Sequence, residues 1–184
     1  DELVWYLPLE QKAELYAAVD TTALSDKQLH YFHSFQAEQR TAIGMPYTDF
    51  GALTPAGDSL YLHELIGQRP FLLIDFWATW CGPCRKQIPY MKEVAAKYAL
   101  NPDVACISVS LDIITEWWKK NLDSDKPEWL QYIAEDGGKE IATNYGFRAI
   151  PRFMVFDKDG RIVSVNAPRP ENMDAVCAII DSLI

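Results

Sequence analysis

FWATWCGPCRKQIP, residues 76–89, sets two cysteines with two residues between them where one kind of segment gives way to another. Upstream, PFLLIDFWA (70–78) is a nearly continuous apolar run rich in β-formers, the pattern of a central strand buried on both faces. Downstream, CRKQIPYMKEVAAKYAL (84–100) has helix-forming composition, with Pro89 predicting a kink. Cys81 therefore falls where a strand ends and a helix begins. Free N–H groups and the positive end of the helix dipole favour an anion there. A thiolate is such an anion, so the Cys81 pKa should lie below the value of about 8.5 of a free cysteine. Cys84, one turn on, is near enough to close a disulfide and sits deeper. Pro83 suits the first helical turn, where a missing N–H costs nothing. Gly82 keeps bulk away from the sulfur, and Trp80 offers apolar surface beside it.

Three chemistries compete for a CxxC pair. A metal centre needs about four ligands, but no second CxxC is present and His30, His33 and His63 do not complete a set. A structural staple closing so short a loop removes little chain entropy, and 184 residues can bury a core without staples. Disulfide exchange fits best, with Cys81 attacking a partner's disulfide and Cys84 resolving the mixed disulfide. Cys106 and Cys177 are isolated in sequence and read as small core residues.

The net charge of −9 argues against nucleic acid or an anionic membrane surface as partner, since both reward basic patches. No apolar run is long enough to span a bilayer. The chain begins DELVWYLPLE, without Met or a signal-peptide pattern, and reads as a mature or excised fragment.

Residues 1–40 read as a helical extension, or a linker from a preceding domain, and residues 41–184 as one α/β domain. In the extension, LEQKAELYAAVDTT and SDKQLHYFHSFQAEQR are helix-forming. Ser25 or Asp26 could cap the second segment, with Leu29, Phe32 and Phe35 or Ile43 near one face. YTDFGALTPAGDSLYLHEL (47–65) holds short strands around a turn, and DVACISVSLD (103–112) is a second buried strand. ITEWWKKNL and GGKEIATNYG read as helices, RFMVFDKDGRIVSVNA as a hairpin with Asp-Gly in its turn, and PENMDAVCAIIDSLI as an amphipathic final helix. Trp117 and Trp118 predict core packing, with a lid as the other option. The segment 166–170 should lie near the cysteines, offering Asn166 and Arg169.

Two distant motifs, IDFWATWCGPCRKQIP and YGFRAIPRFMVFDKDGRIV, occur in an order that resembles thioredoxin-fold proteins. More narrowly, the chain resembles the TlpA/ResA-like thiol-disulfide oxidoreductases of bacterial envelopes, within the redoxin and AhpC/TSA grouping. Residues 1–40 lie outside that match and are similar to a linker in Bacteroidetes-type envelope homologues. The resemblance implies a thioredoxin-like three-layer sandwich with a central mixed sheet. It also implies a cis bond at Ile150-Pro151 beside the CxxC, where the residues alone favour trans. The backbone there would pair with an extended substrate segment, so Ile150 and Pro151 join Trp80, Gly82 and Pro83 as substrate-binding candidates.

Asp75, buried within its strand, should titrate high. The resemblance makes it the proton acceptor and donor for Cys84; the plainer reading is a strand aspartate reaching a local partner. Many TlpA/ResA-like sequences carry Glu three residues after the second cysteine, where this chain has Gln87. Gly-Pro between the cysteines resembles the reducing members. The resemblance thus implies a reductase with a Cys81–Cys84 redox disulfide and no other cofactor, protein thiols or disulfides as substrates, a membrane-bound electron donor, and an envelope or periplasmic location. Two alternatives remain. A thiol peroxidase of the redoxin grouping needs a PxxxTxxC-like context, whereas Thr79 precedes Cys81 by two. A metal-binding chaperone on this fold resembles CxxxC plus a distant His.

Overall fold

The computed structural model describes residues 7–184. Residues 1–6 of the expected extension, and the side chain of His30, lie outside the described residues. The strands are β1 Gly51–Leu53, β2 Ser59–Tyr61, β3 Phe71–Trp77, β4 Val104–Ser110, β5 Leu130–Ala134, β6 Arg152–Phe156 and β7 Ile162–Ser164. The helices are α1 Leu9–Tyr16, α2 Asp26–Arg40, α3 Leu62–Gln68, α4 Gly82–Tyr98, α5 Thr115–Asp125, α6 Lys139–Asn144 and α7 Met173–Asp181. All seven strands form one sheet in the order β2-β1-β5-β4-β3-β6-β7. β3, β4 and β5 run parallel, and β1, β2, β6 and β7 add antiparallel pairs, so the sheet is mixed.

Alternation along β3 divides the molecule into three layers. Phe71 and Leu73 pack with Met91, Val94 and Tyr98 of α4 and with Val176, Cys177 and Ile180 of α7. Leu72, Ile74 and Phe76 face the other core, with Leu62 and Leu65 of α3 and Ile141 of α6. All seven β3 residues and all seven β4 residues are buried, the mark of strands covered on both faces. Asp75 and Trp77 share the face of Phe71 and Leu73, beneath α4.

Several expectations are refined. α4 carries Pro89 inside one helix, Gly82–Tyr98. β5 has no counterpart in the sequence reading. LQYIA is too short to show a period, and its identity as a strand comes from pairing with β4 on one side and β1 on the other. Ser25 caps α2 in a reciprocal capping box with Gln28. Phe35 is buried, whereas Ile43 lies beyond the helix and is exposed. α1 rests on α2 through Tyr16 stacked 4.7 Å from Phe35, and Arg148 reaches α2 with a 2.7 Å bond to Ser34 Oγ. In the β6–β7 turn Gly160 takes φ +70°, and a Cβ there would come within 2.7 Å of Tyr47. No helix among the described residues is long and apolar enough to cross a membrane.

Candidate active site

β3 delivers the chain to the sheet's carboxyl edge, and α4 starts immediately after Cys81, which is its N-cap. The Cys81 Sγ accepts a hydrogen bond from the Cys84 N–H at 3.2 Å, doing with sulfur what a capping Ser or Asp does with oxygen. Cys81 and Cys84 are joined as a disulfide. Both are more enclosed than a bare helix end suggests, Cys81 at 6% exposure and Cys84 at 2%, with Cys81 the outer of the two. Access comes from what surrounds them. Gly82 and Pro83 are exposed, a Cβ on Gly82 would meet nothing within 4 Å, and Trp80 is 66% exposed. Opposite them, the Ile150-Pro151 bond is cis, and the Ile150 carbonyl oxygen lies 3.8 Å from the Cys81 Sγ.

Thr79, the residue before Trp80, is held by a clasp that the sequence did not reveal. Asp112, buried just beyond β4, accepts from the Thr79 N–H at 2.9 Å and from the Thr79 hydroxyl at 2.7 Å. The Ser110 hydroxyl donates to the same carboxylate at 2.6 Å. Charge-assisted bonds of this kind fix the loop between β3 and Cys81 against the end of β4.

Asp75 is 6% exposed and stands opposite Ser108 in the parallel register of β3 and β4. Burial pushes its carboxyl up to about 7, opposed by a hydrogen bond from Ser108. That bond runs from the Ser108 Oγ to Asp75 Oδ2 at 3.2 Å, and Trp129 Nε1 in turn donates to Ser108 Oγ at 2.8 Å. Cys84 packs in one cluster with Trp77, Trp118, Ile88 and Leu122; Trp77, Ile88 and Leu122 also line a small cleft with Asp75. The acid and the inner cysteine thus share walls beneath α4.

Gln87, one turn beyond Cys84, is buried. It donates to Glu171 Oε2 and accepts from the Glu171 N–H, both at 3.1 Å, tying α4 to the segment before α7. Asn166 and Arg169, on the same connection, are exposed. Trp118 is fully buried while Trp117 is 56% exposed, so the pair divides between core and surface. Cys106 and Cys177 are buried free thiols, and burial, then the neighbouring Cys177, pushes Cys106 up to about 12. Among the described residues no group of three or more His, Cys, Asp or Glu side chains is arranged to hold a metal.

The Redoxin family model matches residues 42–177. The chain belongs to the Redoxin family. This redoxin is 32% identical over 131 residues to the thiol-disulfide oxidoreductase ResA of Bacillus cereus, covering 70% of this chain and 72% of the relative. Its fold matches a crystal structure described as a thiol-disulfide oxidoreductase from Bacteroides vulgatus with TM-score 0.71 and 34% identity, covering 79% of this chain and 99% of that one. A thiol:disulfide interchange protein from Bacteroides sp. matches with TM-score 0.67 and 25% identity over 76% of this chain and 91% of the other. This redoxin is a thiol-disulfide oxidoreductase of the TlpA/ResA-like, thioredoxin-fold type.

Proposed function

We propose that this redoxin reduces disulfides in partner proteins through its CGPC pair. In the reduced enzyme the Cys81 thiolate attacks one sulfur of the partner's disulfide. A mixed disulfide forms, and the partner's second sulfur leaves as a thiolate. Asp75 takes the proton of the Cys84 thiol, and the Cys84 thiolate then attacks Cys81. The partner leaves reduced by two electrons, and the Cys81–Cys84 disulfide remains. A dithiol donor, membrane-bound on this reading, restores the pair. Trp80, Gly82, Pro83, Ile150 and Pro151 make the face on which an extended partner segment docks. The work is assigned to the bacterial envelope or periplasm, and to residues 41–184, with residues 1–40 as the helical extension.

The observation that carries this reading is Cys81 as a sulfur N-cap, its Sγ accepting the Cys84 N–H at the first turn of α4. Such a bond strengthens when the sulfur is anionic and so favours the thiolate. Gly-Pro between the cysteines supports the reducing direction.

The test uses a Cys84→Ser variant incubated with envelope proteins. Cys81 should retain partners as mixed disulfides that reductant releases. Recovery of none, or alkylation of Cys81 with the pH midpoint of free cysteine near about 8.5, refutes the proposal. A potential near about −270 mV is expected for a reductase, whereas one near about −120 mV would reverse the direction.

A further inference from the structure

Proton transfer from Cys84 to Asp75 leaves a proton on a buried carboxyl at the moment a partner covers the cysteines. That proton needs an exit that docking does not block. A cleft of about 20 Å³ lies beside Asp75, bounded by Trp77, Ile88, Ser108, Trp129 and Gln131 and, from α5 and the α5–β5 turn, by Asn121, Asp125 and Pro127, of which Asp125 is exposed to solvent. Space of this size accommodates roughly one water molecule. Three buried polar atoms of its walls have no hydrogen-bond partner in the protein: Asp75 Oδ1, Trp77 Nε1 and Gln131 Nε2. One is an acceptor and two are donors, the complement that a single water satisfies, and leaving such buried groups unsatisfied is costly. None of the residues assigned to partner docking lines the cleft.

We infer that this cleft is the proton exit of the active site: one internal water, held by Gln131 and Trp77, joins the Asp75 carboxyl to bulk solvent at the α5–β5 turn while the partner occupies the opposite approach. The inference rests on the reading of Asp75 as the base for Cys84. Gln131 is then a positioning residue that orients the water and steadies the carboxylate. The Trp129–Ser108 chain occupies Oδ2 and leaves Oδ1 for the water. Asp125, exposed at the mouth, is the other titratable group on the walls, and no Lys or Arg lines the cleft.

The experiment has two arms. In the wild-type protein, nuclear Overhauser transfer from the Gln131 side-chain amide should reveal a long-lived water. In Gln131→Met, which keeps length and loses the donor, the Asp75 titration followed by carboxyl carbon-13 resonance should move up by about one pH unit. At pH 7 that leaves about fivefold less Asp75 carboxylate, so resolution of a mixed disulfide formed on Cys81 with a model peptide should slow by about that factor. Alkylation of Cys81 should be unchanged. Absence of the water in the wild type overturns the inference, whatever the variant does. A water present with an unmoved Asp75 midpoint in the variant overturns it equally. Should Gln131→Met not fold, the wild-type arm decides alone. An Asp75→Asn variant that resolves mixed disulfides at the wild-type rate would refute Asp75 as the base and leave the water measurement standing.

Discussion

Replacing Asp75 by Asn in the oxidised protein should stabilise it, and by an amount that depends on pH. In the unfolded chain the carboxyl loses its proton near 3.8, whereas burial holds it on in the native state up to about 7. Between those values the native state keeps a proton that the unfolded state has released. Native stability therefore falls as pH rises through this window, and the loss is complete above about pH 7. About three pH units at about 1.36 kcal/mol each give about 4 kcal/mol withdrawn by pH 8. The amide is nearly isosteric and never ionises, so Asp75→Asn escapes the loss. Urea unfolding of both proteins, disulfides intact, should show similar midpoints near pH 4. By pH 8 the variant's midpoint should be higher by about 1–2 M for a slope of about 2–3 kcal/mol/M. A difference that stays flat from pH 4 to 8, or a variant less stable than wild type at pH 8, would refute desolvation as the force on Asp75.

Three further outcomes follow from the same contacts. Trp118→Ala, which empties a fully buried site, should cost about 3–5 kcal/mol and lower Tm by about 10 °C. Trp117→Ala on the exposed side should stay within about 0.5 kcal/mol, and calorimetry of the pair checks the division. Asp112→Ala strips the acceptor from both Thr79 donors and from Ser110, so chemical denaturation should register a loss of about 2–4 kcal/mol and turnover of a protein disulfide should slow as the Trp80 loop loosens. Gln87→Glu would set a second carboxylate against Glu171 Oε2, 3.1 Å from the present amide nitrogen. Its melting temperature should fall below wild type at pH 7 and recover near pH 4, where protonation relieves the repulsion.

What the sequence determined was whatever depends on neighbours along the chain. The apolar run 70–78, the CxxC at its end and the helix former beyond it define Cys81 as a helix-leading sulfur from local sequence alone. Val104–Ser110 and the Asp-Gly hairpin were legible for the same reason, since burial on both faces and a tight turn each leave a local signature. The cis form of Ile150-Pro151 was reached only through family likeness, because the local residues favour trans.

Tertiary structure alone decided the pairings between residues far apart in sequence. LQYIA becomes a strand because β4 and β1 supply its hydrogen bonds. Thr79 and Asp112 meet only because parallel β3 and β4 end at the same edge. Trp117 and Trp118 are chemically alike, and only the surface beneath α5 buries one and exposes the other. The setting of Asp75 is likewise long-range: Ser108 and Gln131 arrive from two other strands and Trp129 from the α5–β5 turn, so its proton chemistry cannot be read from the residues on either side of it.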